Sequence, residues 1–186
     1  MPHTSIDLND HQMVALSRTA LASLRGTLLN DAAISGASHL QEAGYAGSES
    51  VFQSFKEWAK GRIDGDPGEL DLEEFGELAS GYFSDAGWGS FTLGSIGDAV
   101  ATVDSGDWRE VDPAVHLPQP ACFLTTGMLA GFFGQLADTP IAVLEVECRT
   151  MGASRCRFLL GASEVVGNIY EGIERGMEYE AAVQAA

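Results

Sequence analysis

A chain of 186 residues, 45% hydrophobic and 20% charged, has the composition of a globular protein that can bury a core without disulfides. Its 27 acidic against 10 basic residues give a net charge of −17, so nucleic acid and an anionic membrane meet repulsion on most faces and are excluded as partners. No stretch reads as a signal peptide or approaches the ~18 apolar residues that span a bilayer, and three cysteines do not suit a disulfide framework; a reducing, cytoplasmic setting is expected.

Residues 1–9 read as a flexible N-terminus. Residues 10–186 read as one domain, with a helical N-terminal part (10–84) and a motif-bearing half (85–186). From Asp10 to about Leu29, apolar residues recur at helical spacing (Met13, Val14, Leu16, Leu21, Leu24, Leu28). Ala32 to Ala43 continues in that style with Gly44 as a stop. Ser48 or Glu49 could cap a further helix carrying Val51, Phe52, Phe55 and Trp58. Gly61 to Gly68 is an acidic turn. It begins like a calcium loop, but Glu69 and Phe75 stand where an EF-hand needs Gly and Glu. Leu70 to Phe83 predicts an amphipathic helix with Leu72, Phe75, Leu78 and Tyr82 on one stripe.

The pattern changes near Gly87. Trp88 to Leu93 and Ala99 to Val103 are strand-like, and the prolines at 113, 118 and 120 keep Ser105 to Pro120 irregular. Ala121 to Leu136 resumes a helix with Gly127, Gly131 and Gly134, each costing about 1 kcal/mol against Ala. Close packing against a sheet or a second subunit is the expected compensation. Ile141 to Thr150 and Cys156 to Leu160 predict a hairpin joined by residues 151–154, and Ser163 predicts the N-cap of a last helix to about Ala182. The fold class is α+β: a small, mainly antiparallel four-stranded sheet covered by helices, in the order helices-β-β-α-β-β-α.

Chemistry concentrates in Cys122, Glu145, Cys148 and Cys156, which hold all the cysteines. Thiolates and a carboxylate are good Zn²⁺ ligands, and four make a closed site. Cys148 and Cys156 flank the hairpin turn, and Cys122 starts a helix whose dipole favours a thiolate. Glu145 and Cys148 fall on opposite faces under strict strand alternation, so a bulge or an early turn is needed to bring both to one ion. Arg149, Arg155 and Arg157 are placed to offset the ligand charge. Spacing alone leaves equal room for the bland reading, three small buried thiols and a surface glutamate.

The run from Gln119 to Phe133, with Pro120-Ala-Cys122 at the helix start, and the run Glu145-x-x-Cys148-x-x-Met151-Gly152-x-x-x-Cys156-x-Phe158 together resemble the 4-vinyl-reductase (hydrocarbon-binding) domain family. That family includes phenol- and xylene-sensing domains of bacterial activators and a bacteriochlorophyll-biosynthesis protein, and it shares its fold with vesicle-tethering subunits. The resemblance implies a structural Zn²⁺ on Cys122, Glu145, Cys148 and Cys156, and a homodimer. It also implies a pocket for a small hydrophobic or aromatic ligand near the metal, with Trp88, Phe91, Trp108, Phe123, Thr126, Phe132 and Val143 as candidate wall. His116 reads as a surface loop residue rather than a ligand contact.

Three functions follow from that resemblance: a non-enzymatic ligand-binding or sensor module acting through a partner protein, an accessory protein or reductase of tetrapyrrole biosynthesis, and a tethering scaffold. No nucleotide-binding, nucleophile-elbow or His-Glu-x-x-His motif is visible, which leans the reading away from an enzyme. A large apolar patch without a cavity would mark the scaffold.

Overall fold

In the computed structural model, which describes residues 6–186, the first helix starts later than the apolar periodicity predicts. Of the expected flexible N-terminus, residues 1–5 lie outside the described residues. Residues 8–12 form turns. The Ser17 hydroxyl accepts from the Ala20 amide at 3.2 Å and caps α1, Arg18–Asn30.

The next helix, α2, runs unbroken over Gly36–Ala59, where two helices were expected. Gly44 does not stop it. Its missing side chain serves contact instead, because a Cβ there would run into the Leu124 carbonyl of α4, Phe123–Ala137. The arrangement is reciprocal: a Cβ at Gly127 would strike the Gln41 carbonyl, and one at Gly131 the Ser48 side chain. The glycine face of α4 therefore lies against α2, not against the sheet or a second subunit as expected. Close dispersion contact offsets the helix propensity lost at each glycine.

Helix α3, Leu72–Asp85, is capped by Asp71, whose Oδ1 accepts from the Glu74 amide at 2.8 Å. Phe75, Tyr82 and Phe83 are buried, while Leu72, expected on the same stripe, is exposed. The helix ends in a left-handed Gly87 (φ 87°), with the Trp88 amide reaching back to the Phe83 carbonyl at 2.9 Å. Trp88 is thus part of a helix stop, and β1 spans Thr92–Ile96 rather than starting at 88.

The sheet contains β1, β2 (Val100–Ser105), β3 (Ala142–Glu147) and β4 (Cys156–Gly161) in the order β1-β2-β4-β3, with every pair antiparallel. Strand β3 ends at Glu147, short of the predicted Thr150, because residues 149–151 wind into a 3₁₀ turn. The expected last helix divides into α5 (Ser163–Glu174) and α6 (Tyr179–Ala185) at Gly176, φ 89°. Ala162 stands at the N-cap of α5, and Ser163 is its first helical residue. The order is otherwise as expected, and the fold is α+β.

Alternation along β4 sends Phe158 and Leu160 to the layer formed by α2, α3 and α4, and Leu159 to α5 and α6. The larger core is aromatic. Phe132 meets Phe55 and Phe83 edge-to-face with ring centroids 5.2 Å apart in both pairs. Beside the smaller core, Arg157 donates to both carboxylate oxygens of Asp104 (2.7 and 2.6 Å), Arg155 donates to Glu147 (2.9 Å), and the Tyr179 hydroxyl donates to Glu147 (2.6 Å). This network ties β2, β3 and β4 to α6.

Gly44→Ala should lower stability by about 1–3 kcal/mol. Gly47→Ala, one turn on with nothing within 4 Å of its Cβ, should raise it by about 0.5–1 kcal/mol. Thermal unfolding checks the pair, and equal shifts would refute the backbone contact.

The Arg155 hydrogen bond holds the Glu147 carboxyl below its usual range. A depressed carboxyl stabilises the fold above the unfolded value of about 4.3 and loses that contribution as pH falls through its folded value. Glu147→Gln should therefore flatten the acid side of the stability profile below about pH 4.5. Superimposable acid limbs would mean that the network contributes nothing.

Candidate functional site

Cys122 precedes the first residue of α4, Glu145 lies on β3, Cys148 follows that strand, and Cys156 opens β4. Pairing shifts by one residue between Glu145, opposite Phe158, and Glu147, opposite Arg157. This is the bulge that the spacing required, and it turns Glu145 and Cys148 to the same side. The Met151 amide closes the turn on the Cys148 carbonyl at 2.9 Å, and Gly152 takes φ 88°, which a residue with a side chain rarely adopts.

One donor atom from each of the four residues lies within 4.8 Å of every other, and all four residues are buried. The Cys122 and Cys156 sulfurs are 3.9 Å apart. The Cys122 amide donates to Glu145 Oε2 at 2.8 Å, and Cys148 Sγ lies 3.0 Å from the Thr150 hydroxyl. Glu145 Oε1 is buried with no hydrogen-bond partner among the described residues.

Burial pushes the Glu145 carboxyl up to about 8, and charge on Cys148 adds to the shift. Burial likewise pushes the Cys122 thiol well above its usual range. Cys148 moves down, because the Cys122 and Cys156 thiols donate to it. In the absence of a cation, then, one thiolate is favoured and its neighbours are held protonated. A divalent ion reverses that preference by supplying positive charge to every donor. An unpartnered buried carboxylate oxygen and three convergent sulfurs fit such an ion. The cluster can hold a metal.

The three arginines expected to balance the ligand charge act elsewhere. Arg155 and Arg157 pair with Glu147 and Asp104, and Arg149 donates to the Trp108 carbonyl at 3.4 Å.

Sequence reasoning missed the support behind Cys122. Glu110, fully buried in the proline-rich stretch, accepts from the Leu124 amide (3.2 Å), the Thr125 amide (2.8 Å) and the Thr125 hydroxyl (2.5 Å). It caps α4 from a distance, so Cys122 can occupy the cap position without its sulfur capping anything. Arg25 of α1 reaches in to Glu110 Oε1 at 2.9 Å, to the Glu110 carbonyl at 3.1 Å, and to the Ala121 carbonyl. Burial still pushes the Glu110 carboxyl up, against the pull of Arg25. No local signal marks Arg25, which is 85 positions from Glu110.

The candidate ligand residues fall into separate groups. Trp108 is fully buried. Its indole N–H donates to the Thr125 hydroxyl at 2.7 Å, and half-buried Trp88 stacks on it at 5.9 Å and 21°. Phe91 joins them at 6.5 Å, and Phe132 connects through Phe83. Phe123 is partly buried against the same core. Thr126 and Val143 line an open groove elsewhere, with Gln41 and Tyr45. His116 is exposed, as expected.

Fold and site thus define an α+β domain with a buried three-cysteine, one-glutamate cluster at a bulged hairpin. Residues 110–162, which span Glu110, Cys122 and the whole β3–β4 hairpin, match the model of the 4-vinyl-reductase domain, in agreement with the resemblance read from the motif. The phenol-responsive sensory domain of the transcription activator PoxR, solved with phenol, has a similar structure. Its TM-score is 0.59 at 19% identity, over 93% of this chain and 82% of that one. A trafficking protein particle complex subunit 3 from Naegleria fowleri, covalently bound to palmitic acid, gives a TM-score of 0.60 at 14% identity, over 77% of this chain and 91% of that one. At these identities the likeness is one of fold. No curated protein matches the chain. No helix among the described residues is long and apolar enough to cross a membrane.

Glu110→Gln keeps the shape but leaves Arg25 buried without a counter-charge, so urea unfolding should show a loss of about 3–5 kcal/mol. Adding Arg25→Met should recover part of it. A loss under about 1 kcal/mol for the single variant would show that the pair does not hold α1 to α4.

Proposed function

We propose that this chain is a non-catalytic binding domain for a small hydrophobic or aromatic molecule, built around a structural zinc ion. The observation that carries the reading is the buried four-donor cluster, in which Glu145 Oε1 has no other partner. Cys122, Glu145, Cys148 and Cys156 would hold the ion. With four protein donors no position is left for water, so the ion contributes cross-linking and folding energy rather than an activated hydroxide.

The aromatic cluster next to the metal ligands supports the ligand half of the reading. Trp88, Phe91 and Trp108 form its core, Phe123 and Phe132 extend it, and Thr126 and Val143 lie across α4. Two proteins of similar fold are described with an apolar molecule, phenol in one and palmitic acid in the other. A ligand that displaces Trp108 from Thr125 would disturb Glu110 and hence Arg25 on α1. That hydrogen-bonded chain gives binding a route to the N-terminal helix, where a second copy or a downstream protein would read it.

A tethering role is the second reading. It is favoured by exposed apolar side chains on the N-terminal part, with Val14 87% and Tyr45 60% exposed.

Native mass spectrometry of the purified chain, repeated under denaturing conditions, tests both halves of the leading reading. One zinc per chain and an organic mass released on denaturation are expected. Cys156→Ser should lose the ion and melt at lower temperature. A zinc-free wild type, or full zinc in Cys156→Ser, would overturn the metal assignment. Zinc without any organic mass, together with no uptake of added phenol or indole, would move weight to the tether.

A further inference from the structure

The largest described cavity, about 670 Å³, lies away from the cysteine cluster, under the segment that leads into α1. Its size is within the range of about 300–1,000 Å³ usual for small-molecule sites. Most of its wall is apolar: Ile6, Leu8, Met13 and Leu21 on one side, Val51 and Leu124 on the other, with Trp88 at the back. Two arginines, Arg18 and Arg109, complete the lining.

Those two arginines are unlike the other cations of the chain. Arg25, Lys60, Arg62, Arg155, Arg157 and Arg175 are ion-paired. Lys56 lies over the Phe52 ring, and Arg149 donates to the Trp108 carbonyl. Among the described residues, only the side chains of Arg18 and Arg109 have neither an ion pair, a hydrogen bond nor a ring beneath them. In a chain of net charge −17, both face the same apolar cavity. The one acid in the lining, Asp85, is already engaged. It accepts from the Trp58 indole at 3.1 Å and pairs with Arg62 at 3.4 Å. The first turn of α1, which starts at Arg18, carries no acidic residue to complement its dipole.

We infer that this cavity is a binding site for an amphipathic anion, an aliphatic carboxylate whose chain lies along the apolar wall and whose head group is held by Arg18 and Arg109. A guanidinium fork matches a carboxylate in geometry and charge, and the acid-poor rim spares the ligand the repulsion it would meet over most of this surface. No cysteine lines the cavity, so binding is non-covalent. The inference goes beyond the aromatic-ligand reading, because it concerns different residues and a charged ligand, and Trp88 is the only side chain the two sites share.

Isothermal titration with dodecanoate and with dodecanol, on the zinc-quantified full chain, tests it. Dodecanoate is expected to bind one per chain and at least tenfold tighter than dodecanol. The double variant Arg18→Gln/Arg109→Gln should bind dodecanoate at least tenfold more weakly and leave dodecanol unchanged. Ala15→Asp, which brings an acid to the rim, should weaken dodecanoate to a similar extent. All three positions are exposed, so the melting temperature and zinc content should match wild type. Equal affinity for acid and alcohol, or dodecanoate binding indifferent to the arginine substitutions, would overturn the proposal. Zinc and phenol binding in the same samples are read separately and would still stand.

Discussion

Glu110 reaches the first turn of α4 from a loop, takes up two amides and one hydroxyl there, and is itself held by Arg25 from the far end of the sequence. An isolated carboxylate in that position would be too costly to bury, and an isolated Arg25 equally so. Together they set the position of α4, and α4 in turn sets Cys122. Because Glu110 does the capping, the Cys122 backbone amide is left to hold Glu145, and its sulfur is left to face Cys156. The donor cluster therefore depends on an ion pair that contains none of the donors.

The second constraint is the bare face of α4. Gly127 and Gly131 let it press against Gly44 and Ser48 of α2 at a distance that no Cβ would allow. This contact carries Phe132 into the middle of the aromatic core, where it meets the rings of α2 and α3. The ends of α4 and the core thus share one rigid element, and anything bound against Trp88 or Trp108 is only one hydrogen bond from Thr125.

Charge is distributed with the same economy. Most cations of this acidic chain are used to tie elements together, notably Arg155 and Arg157 across the sheet and Arg25 through the core. The two left without partners stand at one apolar cavity. A cation left over in a chain with 27 acids is more informative than one left over in a neutral chain, since intramolecular partners are plentiful.

The sequence by itself determined the order of elements, the change from helices to a small antiparallel sheet, and the four donors with their bulge. Each of these follows from short-range pattern: apolar periodicity, turn residues, and ligands flanking one hairpin. It misread Gly44 as a stop and Ser163 as a cap, because a helical glycine signals either a turn or a close approach, and only the partner backbone distinguishes them. It also scattered the ligand wall, placing Thr126 and Val143 with aromatics that lie on the other side of α4. Tertiary structure alone decided that Arg25 would meet Glu110, that Arg155 and Arg157 would turn away from the cysteines, and that Arg18 and Arg109 would share a cavity. The physical reason is the same in each case. Electrostatic pairing between residues far apart in sequence is fixed by where helices and loops pack, and long-range packing leaves no periodic trace in the sequence.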